Sequence, residues 1–168
     1  MMGPWSGQKI LIVDDSEFIR DQLKGLFSEL GMTVVGTASN GCEALEQYDA
    51  LQPDVVSLDI IMPEMHGLDC YNEFKEERPG TKILFISCLV VGHIISDSVL
   101  EEIPRELFIS KPAQSGPVIN ALEILYGVKE PGRRPVQKSE DEDTNADSAS
   151  SEDAALPPLP VPPTEEVS

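Results

Sequence analysis

The sequence predicts an α/β fold, a doubly wound parallel sheet of five strands in the order 2-1-3-4-5, on three observations. Five short apolar runs rich in β-branched residues recur along the chain. Segments of helical period separate them. The first and third runs each stop at carboxylates, where such sheets bind ligands. Runs that are nearly continuously apolar belong to strands covered on both faces, and strand–helix repeats join by right-handed crossovers.

The elements follow in order. "KILIV" (9–13) is strand 1, and Ile19, Leu23, Leu26, Phe27 and Leu30 mark one face of the helix after it, which Gly31 ends. "TVVGTA" (33–38) is strand 2, followed by a helix with Ala44, Leu45, Tyr48 and Leu51 inward and "QPD" (52–54) as its stop. "VVSLDI" (55–60) is strand 3, and a helix over about 68–77 ends at "RPG". "KILFI" (82–86) is strand 4, the next helix falls somewhere between His93 and Glu102, "LFIS" (107–110) is strand 5, and a last helix spans about 116–126.

Composition bounds the function classes. The chain has 168 residues, 40% of them hydrophobic, enough for one domain and an appendage. Residues 1–128 carry 8 Lys+Arg against 20 Asp+Glu and residues 129–168 carry 4 against 10, giving −12 and −6. Neither part suits a polyphosphate backbone, so no nucleic-acid partner is expected. Cys42, Cys70 and Cys88 are odd in number and lack metal-ligand spacing, which points to reduced thiols in the cytoplasm. No apolar run approaches the roughly 18 residues of a spanning helix, and "MMGPWSGQ" lacks signal-peptide character, so no membrane partner is expected either.

The chemistry collects at the strand ends. "ILIVDDSEF" (10–18) ends strand 1 at Asp14 and Asp15, and "SLDIIMP" places Asp59 at the end of strand 3. One reading makes Asp14 a helix cap with Glu17 in a capping box and Asp59 a loop opener. The other makes the three a site: two carboxylates about 4 Å apart repel by up to roughly 4 kcal/mol near a surface, which demands a cation. Oxygen-only ligands select a hard divalent ion, Mg²⁺ above all. "FISKPA" ends strand 5 at Lys111, held extended before Pro112, and strand 4 ends at the hydroxyl of Ser87. A nucleophilic carboxylate, a metal, a cation and a hydroxyl suit an acyl phosphate formed on Asp59.

Over about Lys9 to Tyr126 the chain resembles the response-regulator receiver domain of two-component signalling, of the chemotaxis-regulator type, whose fold is flavodoxin-like. "ILIVDDS", "LDIIMPEMHG" and "ISKP" stand in family order and spacing. The resemblance implies that Asp59 is the phospho-acceptor and that Asp15, Asp59 and the carbonyl of Ile61 bind Mg²⁺, with Asp14 assisting through water. It further implies that Lys111 contacts the phosphoryl group, that Pro112 follows a cis bond, that Ser87 and Phe108 are the switch pair, that Cys88 borders the pocket mouth, and that Gly67 shapes the turn into helix 3. The expected partners are a histidine kinase or phosphotransfer protein and a downstream protein target. The expected role is a stand-alone signalling switch in a phosphorelay or chemotaxis-type pathway rather than a metabolic enzyme, although it gains and loses phosphate chemically.

Two departures concern the output face. "EEIPREL" (101–107) intervenes where receivers commonly carry a Gly-Ala pair, and "CLVVGHII" (88–95) is unusually apolar. Leu89, Val90 and Val91 either extend strand 4 or pack under a loop, or form a contact patch for a partner or a second copy in a homodimer. Residues 1–8 are expected to be flexible, 9–127 to form the receiver domain, and 128–168, rich in Pro, Ser and acids, to be a disordered tail. "LPPLPVPP" (156–163) has polyproline II character, which suits either an aromatic groove or simple solubilisation. Two rival functions remain: a haloacid-dehalogenase-like phosphatase, which needs a second Asp where Ile61 stands, and a phosphate-independent interaction module acting through residues 89–105 and the tail.

Overall fold

The computed structural model describes residues 4–88, 95 and 101–132. Its strands are β1 (Lys9–Val13), β2 (Thr33–Ala38), β3 (Val55–Leu58), β4 (Lys82–Ser87) and β5 (Phe108–Ser110). They form one parallel sheet in the order β2-β1-β3-β4-β5. The described helices are α1 (Glu17–Glu29), α2 (Gly41–Leu51), α3 (Gly67–Glu77) and α4 (Ser115–Leu125). Ile10, Leu11, Ile12, Val55, Val56, Leu58, Leu84 and Ile86 are buried on both alternating sets of positions, as strands under helices on both faces must be. The segment between His93 and Glu102, along with Leu89, Val90, Val91 and the tail beyond Gly132, lies outside the described residues apart from Ile95, Glu101 and Glu102.

Local chemistry sets the ends of the elements. Ser16, not Asp14, caps α1: its hydroxyl accepts from the amide of Ile19, while Asp14 Oδ1 accepts from the amide of Ser16 at 3.0 Å. The expected capping box therefore gives way to a turn in which Asp14 braces the cap. Asn40 caps α2 through the amide of Glu43 at 2.8 Å, and the Glu43 carboxylate takes the amide and hydroxyl of Ser39 in return. Gln52 closes α2 in a left-handed conformation, φ 47°. β3 stops at Leu58 rather than Ile60, because the chain turns back on itself: the amide of Ile61 folds onto Asp59 Oδ1 and that of Gly67 onto the carbonyl of Ile60. Leu107 belongs to a 3₁₀ turn ahead of β5.

α2 and α3 run side by side, held by Tyr48 edge-on to Phe74 and by a two-pronged pair in which Arg78 Nε and Nη2 meet the Asp49 carboxylate at 2.7 and 2.5 Å. Between their first turns the Cys70 thiol sits 3.7 Å from the carbonyl of Gly41, and burial pushes it up to about 12.

Within residues 1–8, expected to be flexible, Trp5 is buried. Its ring is 6% exposed, belongs to the core and lies 5.2 Å from that of Tyr126 at the end of α4. Gln8 ties the same corner, accepting the Tyr126 hydroxyl at 2.6 Å and, through its carbonyl, the amide of Thr33 at 2.8 Å. A lone indole carries enough apolar area to order the short turn that bears it. Among the described residues no helix is long and apolar enough to cross a membrane.

Trp5→Ala should therefore cost about 3 kcal/mol in urea unfolding, the loss expected for emptying an aromatic site in a core. A loss below about 0.5 kcal/mol, typical of surface changes, would mean that the segment contributes nothing.

Candidate functional site

The sheet delivers the site residues by carrying its ladder one residue past each strand. The amide of Asp14 bonds the carbonyl of Ala38 at 3.0 Å, that of Asp59 the carbonyl of Val13 at 3.0 Å, and that of Lys111 the carbonyl of Ser87 at 2.9 Å. Three strand ends are thus pinned to their neighbours at the residue whose side chain carries charge. Lys111 precedes Pro112 through a cis peptide bond.

The side chains converge. Asp14, Asp15 and Asp59 each offer a carboxylate oxygen within 4.8 Å of the others; Asp14 and Asp59 are buried and Asp15 is exposed. Lys111 Nζ reaches Asp59 Oδ2 at 2.7 Å and Asp14 Oδ2 at 2.5 Å, the second as an ion pair off the hydrogen-bonding direction. Burial raises the Asp14 carboxyl above its ordinary value, and its contact with Lys111 and the Ser16 amide only partly opposes this. Burial also disfavours the Lys111 ammonium, but its bonds to Asp14 and Asp59 outweigh that, so the net shift is upward. Three carboxylates against one ammonium leave two negative charges on hard oxygen donors, a set that fits a divalent cation such as Mg²⁺.

The remaining expected residues lie around this centre. Ser87 is 3% exposed at the end of β4, and Cys88 beside it is exposed. Ile61 is 46% exposed. Phe108 sits opposite Phe85 in the sheet register, with ring centroids 4.7 Å apart and planes 12° from parallel, and is half-buried. Gly67 is placed by close approach: a Cβ there would lie 2.0 Å from the carbonyl oxygen of Asp59 and 2.7 Å from Ile60 Cα, both backbone.

Two residues at the site escape sequence reasoning. Arg20, in the first turn of α1, donates from Nη1 to the carbonyl of Asp14 at 2.6 Å and to that of Asp15 at 3.1 Å. His66 holds Nδ1 3.2 Å from the carbonyl of Ile60. Both act on main-chain oxygens, which no residue pattern announces.

A five-stranded 2-1-3-4-5 sheet with three acids and a lysine at its carboxyl edge defines a receiver-type α/β protein. The response regulator receiver domain profile matches residues 10–123, and the chain belongs to that family. The chemotaxis protein CheY of Thermotoga maritima is 39% identical over 116 residues, covering 69% of this chain and 95% of that protein. Among solved structures, the CheX-CheY-BeF3-Mg+2 complex from Borrelia burgdorferi matches with a TM-score of 0.64 at 30% identity, over 72% of this chain and 90% of the matched one. The response regulator domain of Thermotoga maritima CheB matches with a TM-score of 0.54 at 32% identity, over 74% and 95%. The chain is homologous to CheY and CheB receiver domains.

Two outcomes follow from the geometry. Gly67→Ala must push the Asp59 backbone aside, so it should lose roughly 1 to 3 kcal/mol by denaturant titration and weaken divalent-cation binding with all three carboxylates intact. A group whose folded value is raised contributes stability that is fully present below its unfolded value and is lost as pH rises through the folded one. For Asp14 that lower bound is the ordinary 3.8. Asp14→Asn should therefore melt higher than wild type in EDTA at pH 7, with the gap closing as pH falls toward 3.8.

Proposed function

We propose that this chain is a phospho-accepting switch in which Asp59 takes a phosphoryl group from a histidine kinase or phosphotransfer protein. The observation that carries this reading is the position of the Asp59 carboxylate, 2.7 Å from the Lys111 ammonium and within 4.8 Å of Asp14 and Asp15. An Asp59 oxygen attacks the phosphorus of a phosphohistidine, the P–N bond breaks, and the imidazole leaves with the bonding pair and picks up a proton. The product is a mixed carboxylic-phosphoric anhydride on Asp59.

The chain's own residues serve that transfer. Lys111 pairs with Asp59 beforehand and then moves its charge onto the incoming phosphoryl oxygens, the positioning and charge neutralisation on which phosphoryl transfer depends. Ser87 supplies a hydroxyl to a second oxygen. Asp15, Asp59 and the carbonyl of Ile61 would hold Mg²⁺, with Asp14 acting through water. When bound, the ion neutralises charge on the transferring group. Cys88, exposed at the end of β4, borders the entry path of the donor. The phosphate is lost by hydrolysis: water attacks the phosphorus, the P–O bond to Asp59 breaks, and the carboxylate and inorganic phosphate are released.

The output is a change of surface. Ser87 drawn toward the phosphate leaves room into which Phe108 turns, and a downstream protein reads the altered face. Homology to chemotaxis proteins supports a cytoplasmic role in a chemotaxis-type or related two-component pathway. Residues 9–127 constitute the switch, with the segment from 128 onward as an acidic appendage.

Acetyl phosphate with MgCl₂ should add one phosphoryl group to the wild type and none to Asp59→Ala, read by intact-mass spectrometry. Equal labelling of the two proteins would remove Asp59 from the role.

A further inference from the structure

Among the described residues, no hydrogen bond or ion pair holds the Asp15 carboxylate. Asp14 is fixed through Ser16 and Lys111, and Asp59 through Ile61 and Lys111, but Asp15 is exposed and faces two like charges within 4.8 Å. Repulsion alone would turn it outward to solvent. What places it is its main chain, and the main chain there is clamped by one side chain. Arg20 Nη1 donates to two successive carbonyls, those of Asp14 and Asp15, at 2.6 and 3.1 Å. These peptide planes sit past the end of β1, where the carbonyls have left the sheet ladder and need another donor.

We propose that Arg20 is a positioning residue for the divalent-cation site: it fixes the two peptide planes after β1 so that Asp15 stays turned toward Asp59 against the repulsion of its neighbours. The assignment rests on the cation-site reading above. A planar guanidinium suits the task because it is always charged and loses little freedom per bond formed. Its anchor is also firm, since the amide of Arg20 bonds the carbonyl of Ser16 at 3.0 Å in the first turn of α1.

Charge and position pull in opposite directions here, which makes the assignment testable. As a nearby positive charge, Arg20 repels a cation, so removing it should tighten metal binding if charge were its whole role. As a clamp, it presents a ligand, so removing it should weaken binding, by roughly 10- to 100-fold as for other residues that orient metal ligands. Mn²⁺ binding followed by electron paramagnetic resonance on the whole chain, with melting in EDTA as a control for folding, separates the two.

Arg20→Ala is expected to bind Mn²⁺ about 10-fold more weakly or worse, and Arg20→Lys, which keeps the charge but not the position of the Nη1 donor, to recover only part of the loss. Unchanged or tighter binding in Arg20→Ala would overturn the assignment. Should Arg20→Ala fail to fold, Arg20→Met, which keeps an apolar stem but neither the charge nor the donor, carries the test, and wild-type or tighter affinity in that variant would overturn it. If the wild type bound no Mn²⁺, or bound it equally after Asp15→Ala, the cation-site reading would fall and this assignment with it.

Discussion

The structure turns on one electrostatic constraint: three carboxylates share a volume in which, among the described residues, Lys111 is the one cation paired with them directly. Its ammonium lies between Asp14 and Asp59, and its bonds to the two acids together outweigh the burial that disfavours its charge. Removing Lys111 would leave two buried carboxylates uncompensated, whereas neutralising Asp14 leaves the ammonium its contact with Asp59. The lysine is therefore held in the site by the acids, and the acids tolerate each other because of the lysine. What remains is a net negative centre that any added cation relieves.

That centre is a cost to folding, and the remainder of the molecule offsets it. Strands buried on both faces bring the charges to one edge, and the ladder bonds at Asp14, Asp59 and Lys111 keep them there. The opposite edge is where aromatic and ionic contacts collect. Trp5 lies near Tyr126, the Lys82 ammonium sits 5.1 Å from that same ring, and Arg78 grips Asp49. The close approach of Gly67 to Asp59 shows the asymmetry plainly. A side chain would add burial there, but the backbone of the acceptor loop occupies the space. Sites that concentrate charge or tight turns are commonly the least optimised parts of a fold.

The sequence makes the sheet and its order legible because β-branched runs and helical periods are dictated by burial on two faces, a one-dimensional pattern. It also makes the acids, Ser87 and Lys111 legible, because strand ends in this topology lie together. Three of the features that were not legible show why, each for a physical reason. The cap of α1 went to Ser16 because Asp14, two residues earlier, can accept from the Ser16 amide and still point at Lys111. Trp5 escaped because a single aromatic in a Gly- and Pro-containing stretch has no periodicity to display, while its partner Tyr126 is far away in sequence. Arg20 escaped because its partners are main-chain carbonyls, and carbonyls have no letter in the sequence.

On the proposed reading, the stacked rings of Phe85 and Phe108 set the energy scale of the switch. Phe85 is 1% exposed and fixed in the sheet, so only Phe108 is free to change rotamer. An aromatic pair of this kind is worth about 0.5 to 1.5 kcal/mol beyond its buried area. A phosphoryl group can shift the equilibrium only by the difference in its interaction with the two states, and couplings between sites typically amount to about 1 to 3 kcal/mol. On that reading the stack is weak enough for one covalent phosphate to overcome. A more deeply buried aromatic at position 108 would need a larger driving term than one phosphate supplies, whereas a small aliphatic side chain would leave neither state distinct. On the proposed reading, half-burial of Phe108 is what would let chemistry at the end of β3 be read on the surface of β5.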